Sequence, residues 1–476
     1  MKHLLCVLFL CSIIVVASGR NKNGPFRAFL PQPSNLMRLD NGTGSPLFLT
    51  PFIQSGRISE ARSKSRVELS GHESIEGYSG YLTVNKPSCG SNLFFWYFPA
   101  KYQPESAPLL LWLQGGPGGS SLFGLFVEHG PFRVNKILEV EERNTAWSLT
   151  HNILYIDQPV GTGFSFTKVD DCYARNEDDV AHDLYEALSQ FFLLFPEKQS
   201  AEFYITGESY AGKYVPALAA HIHDQNALFP HSGNEINLVG IAIGDGLCDP
   251  LTMTNYGDFL YNVGLIDETA WRVFKDVEKK VIEYILNKEW KKAFEAFDSL
   301  LNGDESGVPS YFTNVTGLNY HFNYLLTNPP KEFDYYPLFL DRPSTRNAIH
   351  VGALPYNDGA IVEKHLVNDV MQSVKPLIEK LLDNNYRVMI YNGQTDVIIA
   401  WPLTEHFILS LNWSGAEEYI STKRKIWRYG TEVAGYAKEV GNFTQVLVRN
   451  AGHMIPYDQP KWAFDLISRF TSRKGF

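Results

Sequence analysis

Cysteine is scarce in this chain, with 5 in 476 residues. Cys6 and Cys11 sit in an N-terminal apolar run, which leaves Cys89, Cys172 and Cys248. Three is an odd number, so at most one internal bridge closes and one thiol is left over. A disulfide framework is therefore excluded as the main support of the fold, and the pairing among the three stays open. Surplus positive charge is missing as well. With 42 Lys and Arg against 52 Asp and Glu, the net charge of -10 disfavours nucleic acid as a partner and suits an acidic compartment. Beyond the N-terminus no apolar run approaches the roughly 20 residues of a membrane helix. Internal repeats and low-complexity tracts are absent, and no G-K-[ST] follows the glycine-rich stretch near residue 115, which excludes a phosphate loop. No cofactor and no metal site is expected.

At 44% hydrophobic and 20% charged residues, the composition is that of a globular protein long enough for one large core plus an insertion. Lys2 and His3, the apolar run Leu4 to Val16 and Ala17-Ser18-Gly19 read as a secretory signal peptide over 1–19. The expected destination is the secretory pathway, with the product secreted or held in a lysosomal or endosomal lumen and free of the membrane once the signal is removed. Asn41-Gly42-Thr43, Asn314-Val315-Thr316, Asn412-Trp413-Ser414 and Asn442-Phe443-Thr444 are N-glycosylation sequons. Residues 20–71, rich in Pro, Ser and Arg without a clear period, read as a poorly ordered leader or propeptide.

Short apolar runs then alternate with helical ones. Leu93 to Phe98, Leu109 to Leu113, Ile153 to Ile156, Phe203 to Thr206, Leu238 to Ile243, Arg387 to Tyr391 and Gln445 to Val448 suit buried strands. Asp178 to Phe195 carries Val180, Leu184, Leu188, Phe191 and Phe195 on one helical face, with Asn176 as its cap. This pattern predicts a mainly parallel sheet with helices on both faces, in two parts, 72–266 and 327–476. Residues 267–326 lack strand runs and carry Lys, Glu, Trp, Phe and Leu at helical spacing, which predicts an inserted helical cap.

The chemistry begins at Gly207-Glu208-Ser209-Tyr210-Ala211-Gly212, directly behind the run Phe203 to Thr206. A strand that turns sharply into a helix lifts a serine hydroxyl off the sheet edge, and small residues two before and two after it permit the turn. Serine needs a histidine base and a carboxylate to orient that base. Elbow hydrolases order them Ser, acid, His, each after a later strand. Asp396 follows the run Arg387 to Tyr391, and His453 follows Gln445 to Val448, so the expected triad is Ser209, Asp396 and His453. After an earlier strand comes Trp112-Leu113-Gln114-Gly115-Gly116-Pro117-Gly118-Gly119. Its Gly116 amide, with that of Tyr210, is the expected oxyanion hole.

The motifs WLQGGPGGSS, VEHGP, YIDQPVGTGFSF, TGESYAGKYVP, IAIGDG, YNGQTD and GHMIPYDQP, in this order from about residue 79 to the C-terminus, resemble the serine carboxypeptidase family. Gln114 and Gly119 are most similar to its vitellogenic-carboxypeptidase-like branch. The resemblance implies an α/β-hydrolase fold and release of C-terminal residues from peptides through an acyl-enzyme, with an acidic pH optimum. It also implies that Gln114, Gly115, Glu128 and Glu208 hold the substrate's terminal carboxylate. Many members have Asn at the position of Gln114 and Cys at that of Gly119, so the clamp reaches one methylene further and the cap has fewer bridges. Asp245, where members often carry Asn, is an additional acid without an assigned role. A carboxylate cannot donate to another carboxylate, so Glu128 and Glu208 bind a terminus only while a proton is held between them. Acyl transfer to another acceptor and a non-catalytic binding or stabilising role are the alternative functions, and a homodimer stays open.

Overall fold

The computed structural model describes residues 42–69, 71–72, 74–230, 232–303 and 308–476. The expected signal segment and residues 20–41 of the expected leader, including Asn41 of its sequon, lie outside the described residues. All seven apolar runs become strands of one sheet, which among the described residues has ten strands. In chain order these are β1 Tyr78–Val84, β2 Ser91–Phe98, β3 Leu109–Leu113, β4 Asn152–Ile156, β5 Phe203–Glu208, β6 Leu238–Gly244, β7 Arg387–Gly393, β8 Lys425–Tyr429, β9 Glu432–Val440 and β10 Phe443–Val448. Their spatial order is β1-β2-β4-β3-β5-β6-β7-β10-β9-β8. The six strands from β4 to β10 in that order run parallel. Antiparallel partners flank them on both sides, β2 and β1 at one edge and β9 and β8 at the other. This is an α/β-hydrolase fold.

Strand runs betray themselves by burial. The central strands are covered on both faces, so β3 reads as an unbroken apolar run, Leu-Leu-Leu-Trp-Leu, and β4 as Ile-Leu-Tyr-Ile after Asn152, with every residue buried. The edge strand β8 is exposed at every position but Trp427. A search for continuous apolar runs misses such strands.

Residues 42–69 belong to the stretch expected as a leader. They hold helices α1 Thr50–Gln54 and α2 Ile58–Ser65. The Leu49 amide donates to the Tyr81 carbonyl at 2.9 Å, the Leu47 amide to the His350 carbonyl at 3.1 Å, and Leu49 and Ala61 are fully buried. The segment has no period of its own because it docks on an existing surface through a few apolar side chains.

Helix α3, Glu177–Leu194, begins as expected, with the Asn176 side chain accepting from the Asp179 amide at 2.9 Å. Helix α4, Ala211–Leu228, leaves the serine turn, and α5, Tyr256–Asn262, leads into the insertion. The expected cap contains α6 Glu268–Leu286, α7 Trp290–Leu301 and α8 Tyr311–Thr316. No disulfide supports it. Its apolar stripes, including Phe274, Val281, Phe294, Phe297 and Phe312, are buried instead. Among the described residues one disulfide joins Cys89 to Cys172, and Cys248 is a buried free thiol. No described helix is long and apolar enough to cross a membrane.

Candidate active site

Strand β5 runs straight into Ser209, whose φ of +63° is a left-handed conformation that L-residues rarely take. The surroundings hold it there: the Ser209 amide donates to the Gly244 carbonyl at 3.0 Å, and its own carbonyl accepts from Gly212 at 2.9 Å and Leu247 at 3.0 Å. A methyl group on Gly207 would meet the Leu113 carbonyl oxygen at 2.5 Å and the Ala211 Cβ at 2.8 Å. Residues two before and two after the serine therefore touch, which is why both are small. Strain of this kind persists where a side chain must be presented.

Asp396 and His453 arrive on the loops after β7 and β10. The His453 Nδ1 lies 2.7 Å from the Asp396 Oδ2. Asp396 is fully buried and also accepts from the amides of Ile398 at 3.0 Å and Ile399 at 3.3 Å. The His453 amide donates to the Phe322 carbonyl at 2.7 Å, and the Phe322 ring stacks on the imidazole at 4.7 Å between centroids. The end of the cap thus holds the histidine ring, a contact the sequence did not suggest. Burial pulls the His453 pKa down, but the pull of Asp396 and its hydrogen bond, with Glu208 adding, outweighs this and leaves it raised. The Nε2 atom has no hydrogen-bond partner among the described residues. Ser209 and His453 line one small cavity together with Gln114, Gly115, Gly116, Glu208, Phe322 and Met454.

Gly115 approaches the serine turn so closely that a Cβ there would lie 2.5 Å from the Tyr210 amide nitrogen. Gly116 adjoins it, so the two expected oxyanion donors belong to neighbouring stretches of backbone. The Trp112 indole N–H donates to the Gln114 Oε1 at 3.0 Å, which turns the Gln114 Nε2 toward the Glu208 Oε1 at 2.6 Å. Trp112 was missed as a functional residue because it reads as strand core.

Glu128 sits on a wide, π-type helical turn, Gly124–His129, a form frequent at functional sites. It is buried beside Glu208, yet neither of its oxygens makes a hydrogen bond within normal geometry among the described residues. Burial, then repulsion from Glu208, pushes the Glu128 carboxyl well above the usual range. Burial also raises Glu208, against the pull of His453. Two such carboxyls retain a proton between them into mildly acidic or neutral solution.

Of the described sequons, Asn314 and Asn412 are exposed, whereas Asn442 is half-buried with its side-chain amide donating to the Asn385 carbonyl at 2.8 Å.

Known proteins carry the same arrangement of chain. Residues 68–473 match the family model described as serine carboxypeptidase. The human probable serine carboxypeptidase CPVL is 51% identical over 91% of this chain and 91% of its own. The venom serine carboxypeptidase of Apis mellifera is 50% identical over 95% and 96%, and the vitellogenic carboxypeptidase of Aedes aegypti 46% identical over 90% and 91%. Among solved structures, a prohormone-processing carboxypeptidase of Saccharomyces cerevisiae superposes with a TM-score of 0.74 over 87% of this chain and 96% of that one, at 23% identity, which speaks for the fold. A match across nearly the whole sheet domain and its insertion, with relatives at half identity end to end, leaves one conclusion: the chain belongs to the serine carboxypeptidase family and is a hydrolase of that class.

Proposed function

We propose that Ser209, His453 and Asp396 cleave the last peptide bond of a substrate while Gln114, Gly115, Glu128 and Glu208 hold its terminal carboxylate. The observation that carries this reading is the adjacency of Glu208 and Ser209 on one cavity wall, with the Gln114 carboxamide bonded to Glu208 at 2.6 Å. A carboxylate bound there brings only the C-terminal peptide bond to the nucleophile. The Ser209 Oγ attacks the carbonyl carbon as its proton passes to the His453 Nε2. The amides of Gly116 and Tyr210 stabilise the oxyanion. Collapse breaks the C–N bond, and the proton moves from His453 to the leaving amine. Water, deprotonated by His453, then attacks the Ser209 ester and releases the shortened peptide.

The test is a matched pair of peptides, one with a free and one with an amidated C-terminus. The amide loses the charge and an acceptor and is cut about 10²-fold more slowly, corresponding to roughly 3 kcal/mol of charge-assisted bonding. Equal rates on both would sink the carboxylate clamp.

The same reading extends to the rest of the chain: 1–19 is a cleaved signal, 72–266 and 327–476 form the sheet domain, and 267–326 is its cap. The mature protein is a glycoprotein of the secretory or lysosomal lumen, with glycans at Asn314 and Asn412 rather than Asn442. The exposure of Asn314 and Asn412 against the half-buried setting of Asn442 supports this. Deglycosylation followed by mass mapping of those three peptides tests it.

A further inference from the structure

Behind the triad lies a second pair of carboxyls that the reaction as described does not use. Asp245 follows β6 and has a φ of +41°, with its amide donating to the Tyr391 carbonyl at 2.8 Å. Its side chain is fully buried and crosses to the end of β7. There the Oδ1 accepts from the Gly393 amide at 2.9 Å and from the Asn392 carboxamide at 3.3 Å. The Oδ2 has no partner among the described residues. Oxygens of Asp245 and Asp396 and a ring nitrogen of His453 all lie within 4.8 Å of one another. Two anions that close, sealed from water, repel strongly. Asp396 already accepts from three N–H groups, which suits a carboxylate, so Asp245 is the member that keeps a proton.

We propose that Asp245 is a positioning residue that acts as a neutral acid, its Oδ2–H donating to the Asp396 carboxylate and holding that carboxylate in register with His453. The proposal rests on the triad reading above. Its surroundings support it. Burial first, then Asp396 and more weakly Glu208, pushes the Asp245 carboxyl well above the usual range, against the Gly393 amide. The other groups facing it are His453, a cation once it takes the serine proton, and Tyr391, whose phenol burial keeps neutral. As pH rises through the Asp245 pKa the donor is lost and a second anion appears beside Asp396. That anion both displaces the triad acid and holds a proton on His453, so turnover falls.

An ester substrate isolates the effect, because it has no terminal carboxylate and does not need the Glu128 and Glu208 proton. kcat is measured from pH 5 to 10 on the full secreted chain for wild type, Asp245→Asn, Asp245→Leu and Asp396→Asn. Asn supplies an N–H donor that does not titrate: Asp245→Asn rescues kcat to within about threefold at pH 6 and abolishes the alkaline fall. Asp245→Leu, lacking any donor, loses about 10²-fold in kcat with KM little changed, the scale of a misplaced catalytic group. An alkaline limb in Asp245→Asn identical to that of wild type overturns the inference, as does full kcat in Asp245→Leu. If the leucine variant does not fold, the Asp245→Asn profile decides alone. Loss of activity in Asp396→Asn with an unmoved Asp245→Asn profile leaves the triad standing and sinks only this role. Full activity in Asp396→Asn sinks the triad reading itself.

Discussion

Two carboxyl pairs flank the same histidine, and they differ in what they face. Glu208 lines the cavity together with Ser209 and Gln114, and Glu128 is buried beside it. Asp245 and Asp396 lie behind His453, where both are fully buried; Asp245 accepts from one backbone amide and Asp396 from two. Burial is the first cause of the raised proton affinity in Glu128, Glu208 and Asp245 alike. The consequence differs with access. At the front, the shared proton is available to a substrate and governs binding. At the back it is available only to Asp396 and governs geometry. On the proposed roles, the same chemistry serves recognition on one side of the imidazole and orientation on the other.

The largest way to test this comparison removes what both pairs serve. Ser209→Ala lowers peptidase turnover by about 10⁶-fold with the fold retained, since the hydroxyl supports chemistry rather than packing. Undiminished turnover in the purified variant would end both readings. Next in size is Phe322→Ala, which removes the ring stacked on His453. Losing a defined imidazole position costs about 10-fold to 10²-fold in kcat on peptide and ester alike, and a change in KM alone would move Phe322 from orientation to substrate contact.

The front pair is separated from the back by pH. Binding of a terminal carboxylate needs the proton shared by Glu128 and Glu208, fully held below their raised pKa and lost as pH rises through it. His453 must be unprotonated to act as base. Peptidase kcat/KM therefore peaks at roughly pH 4.5 to 6, around the reference Glu and His values, while ester hydrolysis continues to rise toward neutral pH. Glu128→Gln shifts the peptidase limb and leaves the ester one nearly in place. Coincident peptide and ester profiles in the wild type would remove the proton-sharing role.

The smallest expected effect is on stability. Acids whose folded pKa is raised stabilise the protein fully below the unfolded values near 4 and lose that contribution as pH rises through the folded pKa. Each pKa unit is worth about 1.4 kcal/mol. Glu128, Glu208 and Asp245 all act in this direction, so Tm is higher at pH 5 than at pH 8, and the double variant Glu128→Gln, Asp245→Asn narrows the gap. An equal gap in the variant would mean that other groups set the acid stability.

The strands that build the site were legible because central parallel strands are apolar on both faces, and the expected triad residues because each follows such a strand at a small turn residue. The Asn176 cap and the helices α6 and α7 were legible for similar local reasons. The docked segment 42–69 was not, since Leu49 and Ala61 acquire their environment only from β1, α3 and neighbours far along the chain. Nor was the β8–β9 hairpin, whose edge strand is buried only at Trp427 and which lacks a continuous apolar run.

Local order in the chain was therefore enough for the elbow, the succession Ser209, Asp396, His453 and the glycine-rich loop, because each depends on a few consecutive residues with a steric requirement. Three-dimensional packing alone decided that Trp112 orients Gln114, that Phe322 carries the imidazole and that Asp245 stands behind Asp396. Gln114 meets Glu208 across 94 residues of chain, Phe322 meets His453 across 131 and Asp245 meets Asp396 across 151, and the chemistry of these contacts arises from burial. A carboxyl group written in a sequence has no environment; folding removes water from it, and that is what turns an ordinary Asp or Glu into a proton-holding group.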